Sequence, residues 1–161
     1  TIMTARLNHF ETVPALTKAL MDASMAAYKT SIDPLIKSLI DIRASQLNNC
    51  AFCLDMHIKQ AKIKGERELR IYHVAIWRES PLFNAKEKAA LALTEALTKL
   101  PDTGISNELY QATKEHFTDV EISELTYSIG LINFWNRMQI LAQVEPGSQD
   151  TAFGLTKAGL N

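Results

Sequence analysis

Cysteine is nearly absent: the 161-residue chain has two, Cys50 and Cys53. That excludes a small secreted scaffold held together by a framework of disulfides. It makes a reducing cytoplasm the expected location, where a close thiol pair would act rather than staple. There is no run of about 18 apolar residues, so no membrane-spanning helix is expected. Positive charge is not in excess. The formal net charge is −1, which gives no field for nucleic acid or an anionic membrane surface. The first residues, Thr1-Ile2-Met3-Thr4-Ala5-Arg6, lack a charged-then-apolar leader pattern, and Met3 is the expected native start. Strand signals are missing as well: no window alternates apolar and polar residues for long, and no Asn-Gly or Asp-Gly turn occurs. There is no linker, low-complexity tract or internal repeat.

What is present is helical periodicity punctuated by caps. The pattern predicts an all-α, single compact domain of six or seven helices. After a short irregular arm at Leu7 to Phe10, Val13, Leu16, Leu20 and Ala23 line the expected inner face of a first helix. Asp33 followed by Pro34 opens a second, with Leu35, Leu39, Ile40 and Ile42 inward. Asn48-Asn49 breaks it, a third helix starts at Cys50, and Gly65 ends that one. Leu69, Tyr72, Ala75 and Ile76 mark the inner face of a fourth. Asn84 with Glu87 and Thr118 with Glu121 read as capping boxes of two later helices, and Ser106 caps a shorter one between them. The last helix is apolar over much of its circumference, which suits a central core helix or a subunit interface; Tyr127, Phe134 and Met138 on it read as core. Burial of that helix in a chain this small calls for a partner, so a homo-oligomer is expected. Residues 147–161 are small, polar and non-periodic, and are expected to form a loosely ordered tail.

Chemistry concentrates in one stretch. Cys50, Cys53 and His57 fall at i, i+3 and i+7, on one stripe of the expected helix. The two cysteines can bridge, and His57 lies within one turn of Cys53. A thiol near a helix N-terminus and beside an imidazole ionises more readily, and the thiolate is the nucleophile. Cys53 is therefore the expected attacking sulfur and Cys50 the resolving one. Attack on a peroxide gives a sulfenic acid at Cys53, and condensation with Cys50 releases water and leaves a disulfide. An external dithiol reductant must then reopen it. No metal, flavin or haem is expected in the chain. The competing readings are a buried, inert pair and a zinc site made by Cys50, Cys53, His57 and one of His9, His73 or His116. A thioredoxin fold is disfavoured because the βαβ pattern around the motif is absent.

The ordered blocks Ser45-Gln46-x-Asn48-x-Cys50-x-x-Cys53-x-x-x-His57, Gly65, Trp77-Arg78-Glu79, Glu87-Lys88-Ala89-Ala90-Leu91-Ala92, Thr94-Glu95-Ala96-Leu97-Thr98 and Asn133-Phe134-Trp135-Asn136-Arg137 resemble the carboxymuconolactone decarboxylase family, in its alkylhydroperoxidase D-like branch. The similarity covers residues 6–146. It implies an all-α fold, trimers or hexamers, and reduction of hydrogen peroxide or organic hydroperoxides with the second cysteine attacking. A thiol redox sensor or adaptor, and a small-acid lyase of the decarboxylase type, are the alternative activities. One position departs. Members of that branch have a glutamate twelve residues before the first cysteine that starts a proton relay to the histidine, and Ser38 stands there. Asp41, one turn on, is the candidate substitute; it could equally pair with Arg43, Lys37 or solvent. Glu79 and Glu95 are more distant candidates.

Overall fold

A computed structural model describes residues 5–160. The described chain forms eight α-helices: α1 (His9–Thr12), α2 (Pro14–Ala27), α3 (Pro34–Leu47), α4 (Ala51–Ile63), α5 (Glu68–His73), α6 (Ala85–Thr98), α7 (Asn107–Lys114) and α8 (Asp119–Ala142). One 3-10 turn follows α5 at Val74–Ile76, and another closes the chain at Leu155–Ala158. No strand occurs among the described residues. The all-α single domain stands, and the extra helix over the expected count is the single turn α1, which replaces the irregular arm.

Several boundaries follow from local chemistry. The Asp33 side chain accepts from the Leu35 N–H while Pro34 starts α3. Asn84 with Glu87 and Thr118 with Glu121 form capping boxes, and Ser106 caps α7. Gly65, at φ +97°, ends α4 as the Glu66 N–H turns back to the Ala61 carbonyl oxygen.

The central helix is α3, not α8. It is buried nearly all round. On one side Ile36, Ile40 and Ala44 pack with Phe52 and both cysteines of α4's first turn and with Leu125, Ile129 and Ile132 of α8. On the other, Leu39 and Ile42 pack with Ala61, Ile71, Val74, Trp77, Phe83 and Leu91. A fully buried aliphatic side chain contributes about 1.5–3 kcal/mol, so α3 anchors both halves of the core. A helix so enclosed also carries its polar residues, Lys37, Ser38, Asp41 and Ser45, out of water.

Three expected apolar faces are misplaced. On α5 and the 3-10 turn after it, Leu69, Tyr72 and Ile76 point outward, more than half exposed, while Arg70, Ile71, Val74 and Trp77 go inward. Arg70 reaches Glu66 Oε1 and Glu87 Oε1, both at 2.8 Å, and this buried cluster ties α5 to the start of α6. A charged residue with two carboxylate partners has displaced the apolar stripe from the core side. On α2, Leu16 is exposed and Thr17 and Ala27 are buried. On α8, Tyr127 and Phe134 are exposed, not core.

The tail differs too. The segment 147–160, expected to be loose, is docked against α4. Leu155 and Ala158 are buried, and Lys59 Nζ bonds Asp150 Oδ2 at 2.6 Å as well as Asp55 Oδ2 at 2.7 Å. That long-range ion pair has no periodic signature.

Candidate active site at the α3–α4 elbow

The elbow is one piece of backbone that ends a helix and starts the next. Asn49 takes a left-handed conformation, φ +56°, a conformation that asparagine tolerates better than most residues. This lets the Cys50 N–H return to the Ser45 carbonyl oxygen at 3.0 Å, closing α3. Cys50 is at the same time the N-cap of α4: its Sγ accepts from the Cys53 N–H at 3.3 Å. Cys53 therefore sits in the first turn, where the helix dipole favours a thiolate. The two are joined as a disulfide, with Cα atoms 5.3 Å apart, and both are buried.

A polar network holds the elbow from behind. Asn48 Nδ2 donates to Asn133 Oδ1 at 2.8 Å and to Asn136 Oδ1 at 2.9 Å. Asn136 Nδ2 donates to Ser45 Oγ at 3.1 Å, and Asn133 Nδ2 to Thr98 Oγ1 at 2.9 Å. Asn136 is fully buried, so these bonds fix one arrangement rather than several. The network accounts physically for Asn48, Asn133 and Asn136 in the sequence blocks.

His57 lies one turn beyond Cys53 on α4, its side chain 13% exposed. Two acceptors face its Nδ1: Gln60 Oε1 at 2.9 Å and Asp41 Oδ2 at 3.6 Å. A hydrogen on Nδ1 would bond the Gln60 oxygen; Asp41, at 3.6 Å, acts on the ring through its charge. That tautomer leaves Nε2 with a bare lone pair. Burial pushes His57 below the ordinary histidine range; Asp41 pushes it back up and Lys37 down again, and the first effect wins.

The carboxylate at His57 is Asp41. It is buried and paired with Lys37 Nζ at 3.0 Å, so the expected pairing with Lys37 is present beside the approach to His57. Arg43 is not its partner; Arg43 Nε bonds Glu95 Oε1 at 2.8 Å. Ser38 is buried and donates back to the Pro34 carbonyl oxygen at 3.1 Å, one turn earlier on its own helix. Glu95 is taken by Arg43, Arg78 and Trp77; burial alone would raise its carboxyl, and these donors outweigh burial and hold it low. Two of the other histidines are engaged elsewhere: His9 Nε2 donates to the Met138 carbonyl oxygen at 3.1 Å, and His73 Nδ1 contacts Ser80 Oγ at 2.9 Å. Among the described residues no group of three His, Cys, Asp or Glu side chains is disposed to hold a metal.

Three residues of this neighbourhood were not singled out from sequence. Gln60 is three residues past His57, so helical spacing alone could have flagged it. Lys64 and Tyr28 are the others. The Lys37 and Lys64 ammonium groups lie 4.6 and 5.1 Å from the Tyr28 ring centroid. Burial and then the Asp41 charge raise the Tyr28 hydroxyl above the usual phenol range. A cavity of about 280 Å³, lined by Tyr28, Gln60, Ile63, Lys64, Phe153 and Lys157 among others, opens beside Gln60.

A family model described as "Carboxymuconolactone decarboxylase family" matches residues 14–96, which run from α2 through the elbow, α4 and α5 to most of α6. The chain belongs to the carboxymuconolactone decarboxylase family. Within it, the chain is 39% identical over 138 residues to the uncharacterised protein YdfG of Bacillus subtilis, covering 86% of this chain and 94% of that one. A solved structure from Agrobacterium tumefaciens, a protein of unknown function described in terms of the antioxidant defence protein AhpD, superposes with a TM-score of 0.86 at 34% identity, covering 89% and 98% of the two chains. An uncharacterised peroxidase-related protein from Ralstonia eutropha JMP134, with an alkylhydroperoxidase AhpD core, superposes at 0.77 with 18% identity over 87% and 75%. The fold is AhpD-like, and Cys50 and Cys53 fit a C-x-x-C motif. No helix of the described residues is long and apolar enough to cross a membrane.

Proposed function

We propose that the protein is a dithiol peroxidase that reduces hydrogen peroxide or small organic hydroperoxides. The observation that carries this reading is the disulfide at the N-terminus of α4 with a histidine one turn on, its Nδ1 facing Gln60 and Asp41. In the reduced enzyme, His57 Nε2 takes the Cys53 thiol proton. The Cys53 thiolate attacks the terminal peroxide oxygen, the O–O bond breaks, and the leaving alkoxide or hydroxide takes the proton back. The Cys50 thiol then attacks the sulfenic sulfur, water leaves, and the disulfide forms. A dithiol of another molecule reduces it by exchange and is itself oxidised. A cytoplasmic setting supplies such donors. Asp41 serves as the relay carboxylate in place of Ser38, and a trimer or hexamer covers the exposed stripe of α8.

Steady-state peroxide consumption with a dithiol donor tests the reading. Turnover by the wild type and none by Cys53→Ser is the expected result. Disulfide formation without turnover would favour a redox sensor instead, and catalysis that survives loss of both cysteines would favour a lyase.

A further inference from the structure

We propose that Lys37 is a positioning residue that holds His57 in its neutral, proton-accepting form by neutralising Asp41. A buried carboxylate 3.6 Å from an imidazole would by itself stabilise the imidazolium. Here that carboxylate has a nearer partner. Lys37 Nζ reaches both of its oxygens, at 3.0 and 3.3 Å, from one turn earlier on α3. Both side chains are buried, 9% and 3% exposed, so water does little to screen the pair.

The surroundings act in the same direction. The charged groups that act on His57 are Lys37 and Asp41 from α3 and Lys64 from the cap that follows α4. Tyr28, at the end of α2, carries the two ammonium groups on its ring and stays protonated. Burial is the largest influence that keeps His57 neutral, and the two cations add to it by opposing the Asp41 charge. Gln60 contacts Nδ1 at 2.9 Å and fixes the ring; this bond, like Asp41, favours the charged ring and is outweighed. In the proposed cycle, on which the catalytic meaning of this inference rests, the consequence is a histidine free to take a proton from Cys53 rather than one already carrying it.

The test reads His57 directly and does not require turnover. In the oxidised protein neither cysteine titrates, so an NMR titration of the His57 ring isolates its own pKa. The wild type should titrate below the ordinary histidine value. Lys37→Met should raise the midpoint by about one unit, and Lys37→Arg should restore it. The double variant Lys37→Met/Asp41→Asn, which leaves no charge of this pair stranded and serves as the second measurement should Lys37→Met fail to fold, should titrate at or below the wild type. Coincident midpoints in the wild type and Lys37→Met would overturn the proposal. So would a double variant that titrates clearly above the wild type. Loss of peroxidase activity, or its absence in the wild type, bears on the proposed function and leaves these midpoints unchanged.

Discussion

Asp41 Oδ2 lies 3.6 Å from His57 Nδ1, across the elbow where α3 hands the chain to α4. The two residues are sixteen apart in sequence and on different helices, yet the sharp turn at Asn49 folds one against the other. This relationship generates the first prediction. If Asp41 is the relay carboxylate, Asp41→Asn should lower the rate of peroxide reduction by roughly tenfold to a hundredfold, within the range of acid–base assistance. Ser38→Glu should do little or slow the enzyme, because it buries a second carboxylate beside the first. The substitution at Asp41 also strands the Lys37 ammonium in the core, at a cost of about 3–5 kcal/mol. Rates should therefore be compared well below the melting temperature of each variant. Superimposable pH–rate profiles for the three proteins would exclude both residues from the relay.

The second prediction concerns which sulfur is oxidised first. Cys53 is in the first turn of α4 and one turn from His57, whereas Cys50 caps the helix. Peroxide treatment of Cys50→Ser should yield a sulfenic acid at Cys53 that a dimedone-type probe labels. Labelling found only in Cys53→Ser would reverse the roles.

The third follows from linkage. Burial lowers the folded-state pKa of His57, so as pH falls through the ordinary histidine range the unfolded chain takes up a proton that the folded one refuses. Stability from this group is complete above that range and is lost on acidification. The wild-type melting temperature should fall more between pH 7.5 and pH 5.5 than that of His57→Gln, both measured in the disulfide form. Equal falls would mean that His57 titrates alike in the two states.

The fourth concerns assembly. Tyr127, Phe134 and Leu141 are 74, 53 and 56% exposed and follow one stripe of α8, with Gly130 between the first two. A glycine on such a stripe lets another backbone come close. With a net charge of −1, copies of the chain repel one another little. Light scattering at micromolar concentration should report a trimer or hexamer, and Phe134→Glu should dissociate it; a stable 18.0 kDa species in the wild type would contradict the proposal.

The helices were legible because their ends are chemically marked. Asp33-Pro34, Asn84 with Glu87, Ser106, and Thr118 with Glu121 are caps in the sequence and caps in the structure. Faces were less legible. The apolar residues Leu69, Tyr72 and Ile76 outline a convincing inner stripe, but Arg70, with carboxylates from two segments to satisfy it, takes that side. Local periodicity contains no information about partners supplied from elsewhere. The same holds for the C-terminal segment, docked by Lys59 through a carboxylate ninety-one residues away. At the site, the cysteines and His57 announced themselves by spacing, and Asp41 was reachable by counting one turn. Gln60 carries no charge and belongs to no motif, so only its bond to Nδ1 reveals it.

Because α3 is enclosed on nearly every side, its residues answer to direction more than to position number. The carboxylate that lies beside His57 stands one turn on from Ser38. A column-by-column alignment would score Ser38 as a loss and overlook Asp41, since it compares letters at fixed addresses. Searches for relatives with working relays should therefore query a patch of the helix surface, accepting an acidic residue at either address, and should track the lysine that accompanies it.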